Sequence, residues 1–154
     1  MLRRADGDDV PQMIALAQMK RAEYESFAPN FWRQAQDAAE KQTSFFHAQL
    51  SREDTLCLVY EHAGKIDGFI IATIVAAPPV YDPGSPVCMI DDFVVESPEL
   101  WTTVGRELHQ EARRFTQAQG AKLAVVVCGH LDGSKRKMLT SLGLYVASEW
   151  YVSP

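Results

Sequence analysis

Two adjacent carboxylates, Asp91 and Asp92, sit inside a run otherwise built for a strand, Met89-Ile90-Asp91-Asp92-Phe93-Val94-Val95. A carboxylate held away from bulk water keeps its proton to higher pH and can take a proton from an amine, directly or through a water. Side chains alternate along a strand, so the two are predicted on opposite faces. Asp91 then shares parity with Phe93 and Val95, and Asp92 with Ile90 and Val94. Asp92 is the slightly favoured base. Just downstream the chain turns at Ser97-Pro98 and enters a helix, where Leu100, Val104, Leu108, Ala112 and Phe115 recur at helical spacing. The first N–H groups of a helix have no acceptor inside it, so the stretch from Trp101 to Arg106 is a place for an anion.

Those groups need a frame, and the flanking pattern supplies one. Gly120 is placed to close the helix, and Lys122 to Cys128 is an almost wholly apolar strand, giving a strand-helix-strand unit whose strands run parallel. Upstream, Leu2 to Ala5 reads as a first strand. A helix capped by Asp8 or Asp9 follows, with Pro11 in its first turn, and runs to about Phe27, where Pro29 stops it. A second helix is predicted from Phe31 to about Ser51. Thr55 to Glu61 and Ile66 to Ala76 form a hairpin around Gly64, and Ala77 to Pro86 is a loop. After Cys128 come a loop, a short helix from Ser134 to Leu142 with Asp132 or Ser134 as its cap, and a last strand from Leu144 to Val152. The expectation is a single α/β domain over residues 1–154, with a mixed sheet flanked by helices on both faces.

At 154 residues, with 47% hydrophobic and 23% charged residues, the chain can bury a core without disulfide or metal staples. A net charge of -5 and a pI near 5.3 argue against nucleic acid as a partner, since phosphate neutralisation requires a basic face. The longest uncharged run, Gly68 to Val80, ends in Pro78-Pro79 and is too short to span a bilayer. Met1 to Asp6 has no apolar stretch behind it. A cytoplasmic protein is therefore expected. Cys57, Cys88 and Cys128 are far apart, lie in or beside apolar strands and lack metal-site spacing, so they read as core residues and no metal is expected.

The strand ending at Val95 and the turn before Gly105-Arg106-Glu107-Leu108 are joined by three further marks. These are Leu2-Arg3-Arg4-Ala5 with Asp8-Asp9-Val10-Pro11, then Gly120-Ala121-Lys122-Leu123, then Leu142-Gly143-Leu144. Together they resemble the GNAT N-acetyltransferase superfamily over nearly the whole chain. The resemblance implies acetyl-CoA as co-substrate, with its pyrophosphate on Leu100, Trp101, Thr102, Thr103, Val104, Gly105 and Arg106. The cofactor's amide-bearing arm would pair with the edge of Val94 and Val95. It further implies direct transfer of acetyl to a primary amine of a small molecule, with Asp92 or Asp91 as base. Tyr24, Phe27 and Trp32 would line the acceptor pocket.

Three residues depart from the family pattern. Leu100 stands where the family has Arg or Gln, Thr103 stands where it has the first loop glycine, and Leu139 stands where it often has a tyrosine that protonates the thiolate. Tyr145, Ser134, Ser141 or water is left for that proton. These departures motivate the alternative of a GNAT-like domain that binds acyl-CoA or a protein partner without catalysis. A related alternative is an interaction module that forms a homodimer through its last strand, which ends in Trp150-Tyr151-Val152.

Overall fold

Asp6, rather than Asp8 or Asp9, turns the chain from its first strand, β1 (Leu2–Arg4), into helix, as seen in a computed structural model describing residues 1–154. Its side chain accepts the Asp8 N–H at 2.9 Å, and the Asp9 carboxylate accepts the Asp6 N–H at 2.9 Å, so the two form a capping box around a 3-10 turn (Gly7–Asp9). Asp9 also receives the Arg3 guanidinium through two contacts of 2.7 and 2.8 Å, which lock β1 to the start of α1 (Val10–Phe27).

The second helix is shorter than its apolar spacing predicts. α2 covers Ala38–Leu50. Residues 28–37 form turns instead, and Trp32 and Ala35 of the predicted helical stripe lie in them. Trp32 packs on Tyr24 with ring centroids 4.8 Å apart, so tertiary stacking takes the ring out of the helical register. β2 (Thr55–His62) and β3 (Lys65–Val75) make the expected hairpin. Its two-residue turn puts both Ala63 and Gly64 at positive φ, 51° and 80°.

β4 (Val87–Val95) pairs with β3 antiparallel and with β5 (Leu123–Val126) parallel, completing a sheet in the order β1-β2-β3-β4-β5. Between β4 and β5 the helix is not continuous. Pro98 opens a 3-10 turn (Pro98–Thr102), Thr103 breaks it at φ -115° and ψ -83°, and α3 runs from Val104 to Ala118. α4 (Gly133–Ser141) follows, with the Asp132 carboxylate accepting the Lys135 N–H at 3.3 Å as its cap. The predicted last strand does not form. Leu144 to Val152 has no ladder partner, because the sheet stops at β5 and the segment does not reach it.

Each face of the sheet has its own core. α1 and α2 bring Val10, Met13, Ala17 and Phe46 against Cys57, Val59, Phe69, Ile71 and Val94. On the other face α3 and α4 bring Val104, Leu108, Ala112, Met138 and Leu139 against Leu58, Ile70, Ile90, Phe93 and Val95. No helix is long and apolar enough to cross a membrane.

Gly105 is the residue the second core depends on. Trp101 lies buried against it, and a Cβ there would stand 2.6 Å from the indole Cε3. Gly105→Ala is therefore expected to destabilise the fold by about 1–2 kcal/mol even after the gain in helix propensity, read from the midpoint of urea unfolding. An unchanged midpoint would show that the indole can move aside.

Candidate active site

β4 carries a bulge at the two carboxylates. Ile70 is opposite Phe93 but Ala72 is opposite Ile90, so Asp91 and Asp92 together face the single residue Ile71. The extra residue reverses the alternation. Cys88 and Ile90 point into the α3–α4 core before the bulge, and Phe93 and Val95 point into that same core after it. The predicted parity of Asp91 with Phe93 and of Asp92 with Ile90 therefore fails, since simple alternation does not survive an inserted residue.

The bulge also coincides with the end of the β4–β5 ladder. The last partners are Ile90 and Val126, followed by one bond from the Val127 N–H to the Ile90 carbonyl at 2.9 Å. Beyond this point the chain leaves through Gly129, and Asp91 to Val95 have no strand on that side. A cleft of about 560 Å³ opens there. It is walled by Met19, Lys20 and Glu23 of α1, by Phe93 to Glu96 with Ser97, Pro98 and Trp101, and by Leu131 to Ser134 with Lys137.

Asp92 is half-buried at the bulge, on the α1–α2 side. Gln42 of α2 donates to its Oδ1 at 3.0 Å, and the Arg21 guanidinium donates to Gln42 in turn. Burial raises its pKa above the ordinary carboxylate value, and Asp91 adds to this, while Lys20, Gln42 and Lys135 work against it. Asp91 is exposed, and its carbonyl accepts the Lys20 ammonium at 3.2 Å.

Lys135 is the residue that sequence reasoning passed over. The run Ser134-Lys135-Arg136-Lys137 suggests a solvated helix surface, yet Lys135 is wholly buried. Its Nζ donates to the Phe93 carbonyl at 3.2 Å, on the open edge of β4, and lies 5.2 Å from the Phe93 ring centroid and 5.4 Å from that of Trp101. Burial brings its pKa down to about 7, with Lys20 pushing the same way. A signal was available, because Leu131, Lys135, Met138, Leu139 and Leu142 share one helical stripe and four of the five are apolar.

The remaining predicted site residues scatter. Val94 faces the α1–α2 core and Val95 the α3–α4 core, so only their main chain borders the cleft edge. Of Leu100 to Arg106, Trp101 alone lines the cleft. Leu100 packs on the α3–α4 core, and Val104 and Gly105 are buried beneath it. Thr102 and Thr103 donate their hydroxyls to the Glu99 and Leu100 carbonyls at 3.2 and 3.4 Å, and Arg106 donates to the Ser141 hydroxyl at 2.9 Å.

Tyr24 is buried. Its hydroxyl donates to Asp132 at 2.7 Å and accepts the Gly129 N–H at 3.0 Å, which ties α1 to the exit of β5 and the start of α4. Burial and the Asp132 charge hold that phenol well above its ordinary pKa. Phe27 and Trp32 pack against the Tyr24 ring and do not line the cleft. Tyr145 lies outside it as well, exposed to solvent. Ser134 does line it. No group of three or more His, Cys, Asp or Glu side chains is placed to hold a metal ion.

No protein-family model and no curated protein matches the sequence. Solved structures do match it. A single-substitution variant of a Bacillus halodurans protein superposes with a TM-score of 0.87 at 16% identity, over 100% of this chain and 98% of that one. A predicted acetyltransferase from Clostridium acetobutylicum with acetyl-CoA gives 0.77 at 13%, over 100% and 95%. The aminoglycoside N-acetyltransferase AAC(6')-Iy in complex with CoA gives 0.74 at 14%, over 100% and 93%. The chain has the GNAT acyltransferase fold. The mixed sheet and its flanking helices are as the sequence predicts. In GNAT terms the departures at Leu100 and Thr103 fall in the 3-10 turn and its break, and Leu139 is part of the α3–α4 core.

Lys135 makes stability pH-dependent. Its pKa falls from the unfolded value of 10.5 to about 7, so between these the folded state binds fewer protons and stability rises with pH. The melting temperature is expected to climb from neutral towards alkaline pH, and Lys135→Met should flatten that climb. Parallel thermal melts of the two proteins over that range would show it.

Proposed function

We propose that this protein is an N-acetyltransferase that passes acetyl from acetyl-CoA directly to a primary amine of a small molecule. The observation that carries this is the bulge at Asp91–Asp92. It coincides with the edge of β4 that opens onto a cleft and leaves a raised-pKa carboxylate on the α1–α2 face of the same strand. The bound acetyl-CoA and CoA of the neighbours support the identity of the donor.

The cleft offers two ammonium groups to an extended, phosphate-bearing ligand, beside the carboxylates of Glu23, Glu96 and Asp132. Lys20 and Lys137 face it, and α4 begins at its wall. The Phe93 to Val95 main chain lines the cleft where β4 has no neighbouring strand and offers that edge to an amide-bearing arm. The acceptor amine approaches from the α1–α2 side, where Asp92 takes its proton through a water as nitrogen attacks the thioester carbon. The C–S bond breaks as the amide forms, and the departing thiolate is protonated by water or by Ser134, which lines the cleft.

Two observations favour the alternative of a GNAT-like domain that binds acyl-CoA or a protein partner without transferring. Lys135 already pairs with the Phe93 carbonyl, and buried Trp101 occupies the turn where the family's phosphate loop stands. Calorimetric titration with acetyl-CoA, beside mass spectrometry of an amine panel, separates the two. Saturable binding with an acetylated product supports transfer, binding without product supports an acyl-CoA-binding domain, and no binding at millimolar acetyl-CoA removes both of these and leaves a domain that binds a protein partner.

Two variants sharpen the test. Asp92→Asn should lower kcat/KM by about 10²–10⁴-fold and abolish the rise in rate that accompanies Asp92 deprotonation, a rise placed above the ordinary carboxylate range by the raised pKa. Lys137→Glu should weaken acetyl-CoA binding about tenfold, close to ~1.4 kcal/mol, in the same titration.

A further inference from the structure

The Asp92 carboxylate is held by one of its two oxygens. Gln42 Nε2 donates to Oδ1 at 3.0 Å, and no donor of the chain reaches Oδ2. The Gln42 amide is fixed at its other end as well, because the Arg21 guanidinium of α1 donates to Gln42 Oε1. One line of hydrogen bonds thus runs from α1 through α2 to the bulge of β4.

The direction of that line follows from what each group can do. A guanidinium only donates and an ionised carboxylate only accepts, whereas a carboxamide has one accepting end and one donating end. Between Arg21 and Asp92, therefore, the Gln42 amide has a single orientation that satisfies both neighbours. Turned over, it would set its NH2 against the guanidinium and its oxygen against the carboxylate. Without Arg21 nothing would prevent that. The guanidinium is not placed for its own benefit, since burial lowers its pKa and its Nε lies buried with no acceptor. An orphaned buried donor calls for a reason, and the orientation of Gln42 supplies one.

Other charges face Asp92 without aiming it. Lys20 of α1, neighbouring Asp91 and Lys135 of α4 all act on it through space, and its charge is felt by the Cys57 thiol of β2. Lys20 and Lys135 spend their hydrogen bonds on the Asp91 and Phe93 carbonyls instead. We propose that Gln42 and Arg21 are positioning residues for the transfer, Arg21 setting the Gln42 amide and Gln42 anchoring Oδ1 so that Oδ2 is left to take the acceptor's proton through a water. This rests on Asp92 as the base. A carboxylate anchored at one oxygen has lost its rotational freedom before the amine arrives, so the productive geometry is already set when nitrogen attacks.

The test reads the carboxylate and the rate separately, in the full chain. Carbon-13 NMR titration follows Asp92, its signal assigned by its loss in Asp92→Asn. Gln42→Leu should raise the Asp92 midpoint, because the lost N–H favoured the charged form. Arg21→Met should raise it too, and by less in the Gln42→Leu background, which is the mark of an effect passed through Gln42. Each single variant should lower kcat about 10–100-fold with KM held within about twofold, while far-UV circular dichroism is unchanged. A midpoint that Gln42→Leu leaves in place overturns the proposal, as does an Arg21→Met shift of equal size with and without Gln42. A midpoint that moves as expected beside an unchanged rate, or a wild type that transfers nothing, overturns it through the reading of Asp92 as base and leaves the line of hydrogen bonds standing.

Discussion

Two residues of β4 standing opposite one residue of β3 set the rest of this structure. The inserted residue turns Phe93 and Val95 into the α3–α4 core, where simple alternation would have placed Asp92 and Val94. It coincides with the point at which β5 leaves β4, so five residues of a central strand lose their neighbour on one side. A sheet interior does not tolerate unpaired backbone, and a fold that opens one must satisfy or use the exposed groups. Here one carbonyl, that of Phe93, is satisfied by Lys135, while the surrounding space remains a cleft.

The fold was largely legible because its elements are strongly patterned. The hairpin around Gly64, the strand at Val87–Val95 and the parallel crossover all follow from β-formers bounded by turn residues. Errors arose where a tertiary contact outweighed local spacing. Trp32 leaves the helical stripe to stack on Tyr24, and Pro98 with Trp101 replaces the first helical turn by a 3-10 turn sealed on Gly105. Leu144 to Val152 has the composition of a strand and yet stays off the free edge of β5. Strand propensity describes fitness for a pleated surface and does not by itself bring a segment to one.

The site was less legible, for a physical reason. Asp91 and Asp92 were found by type, but their faces could not be, because a bulge leaves no mark in composition. Tyr24 carries a hydroxyl that looks available for a ligand, and its use in joining Asp132 to the Gly129 N–H depends on residues more than a hundred positions away. Lys135 was hidden by its charged neighbours, although the stripe from Leu131 to Leu142 places it inward. A charged residue on an apolar stripe should be read as buried with a partner before it is read as surface.

Asp92 and Lys135 flank Phe93 from opposite sides of the strand, and burial moves them towards each other on the pH scale. The carboxylate holds its proton longer than usual, and the ammonium gives its proton up at about 7. Both shifts have the same first cause, the burial of a charged group beside a break in a central strand. The same arrangement constrains any ligand that uses the β4 edge. An amide N–H offered to the Phe93 carbonyl competes with Lys135 for the second lone pair or displaces it, and a displaced amine must find solvent or the ligand itself. An anionic ligand offers that partner, and a neutral one does not. The buried lysine therefore couples pairing along this edge to the charge of whatever lies on it, independently of any one side chain in the loop from Leu100 to Arg106.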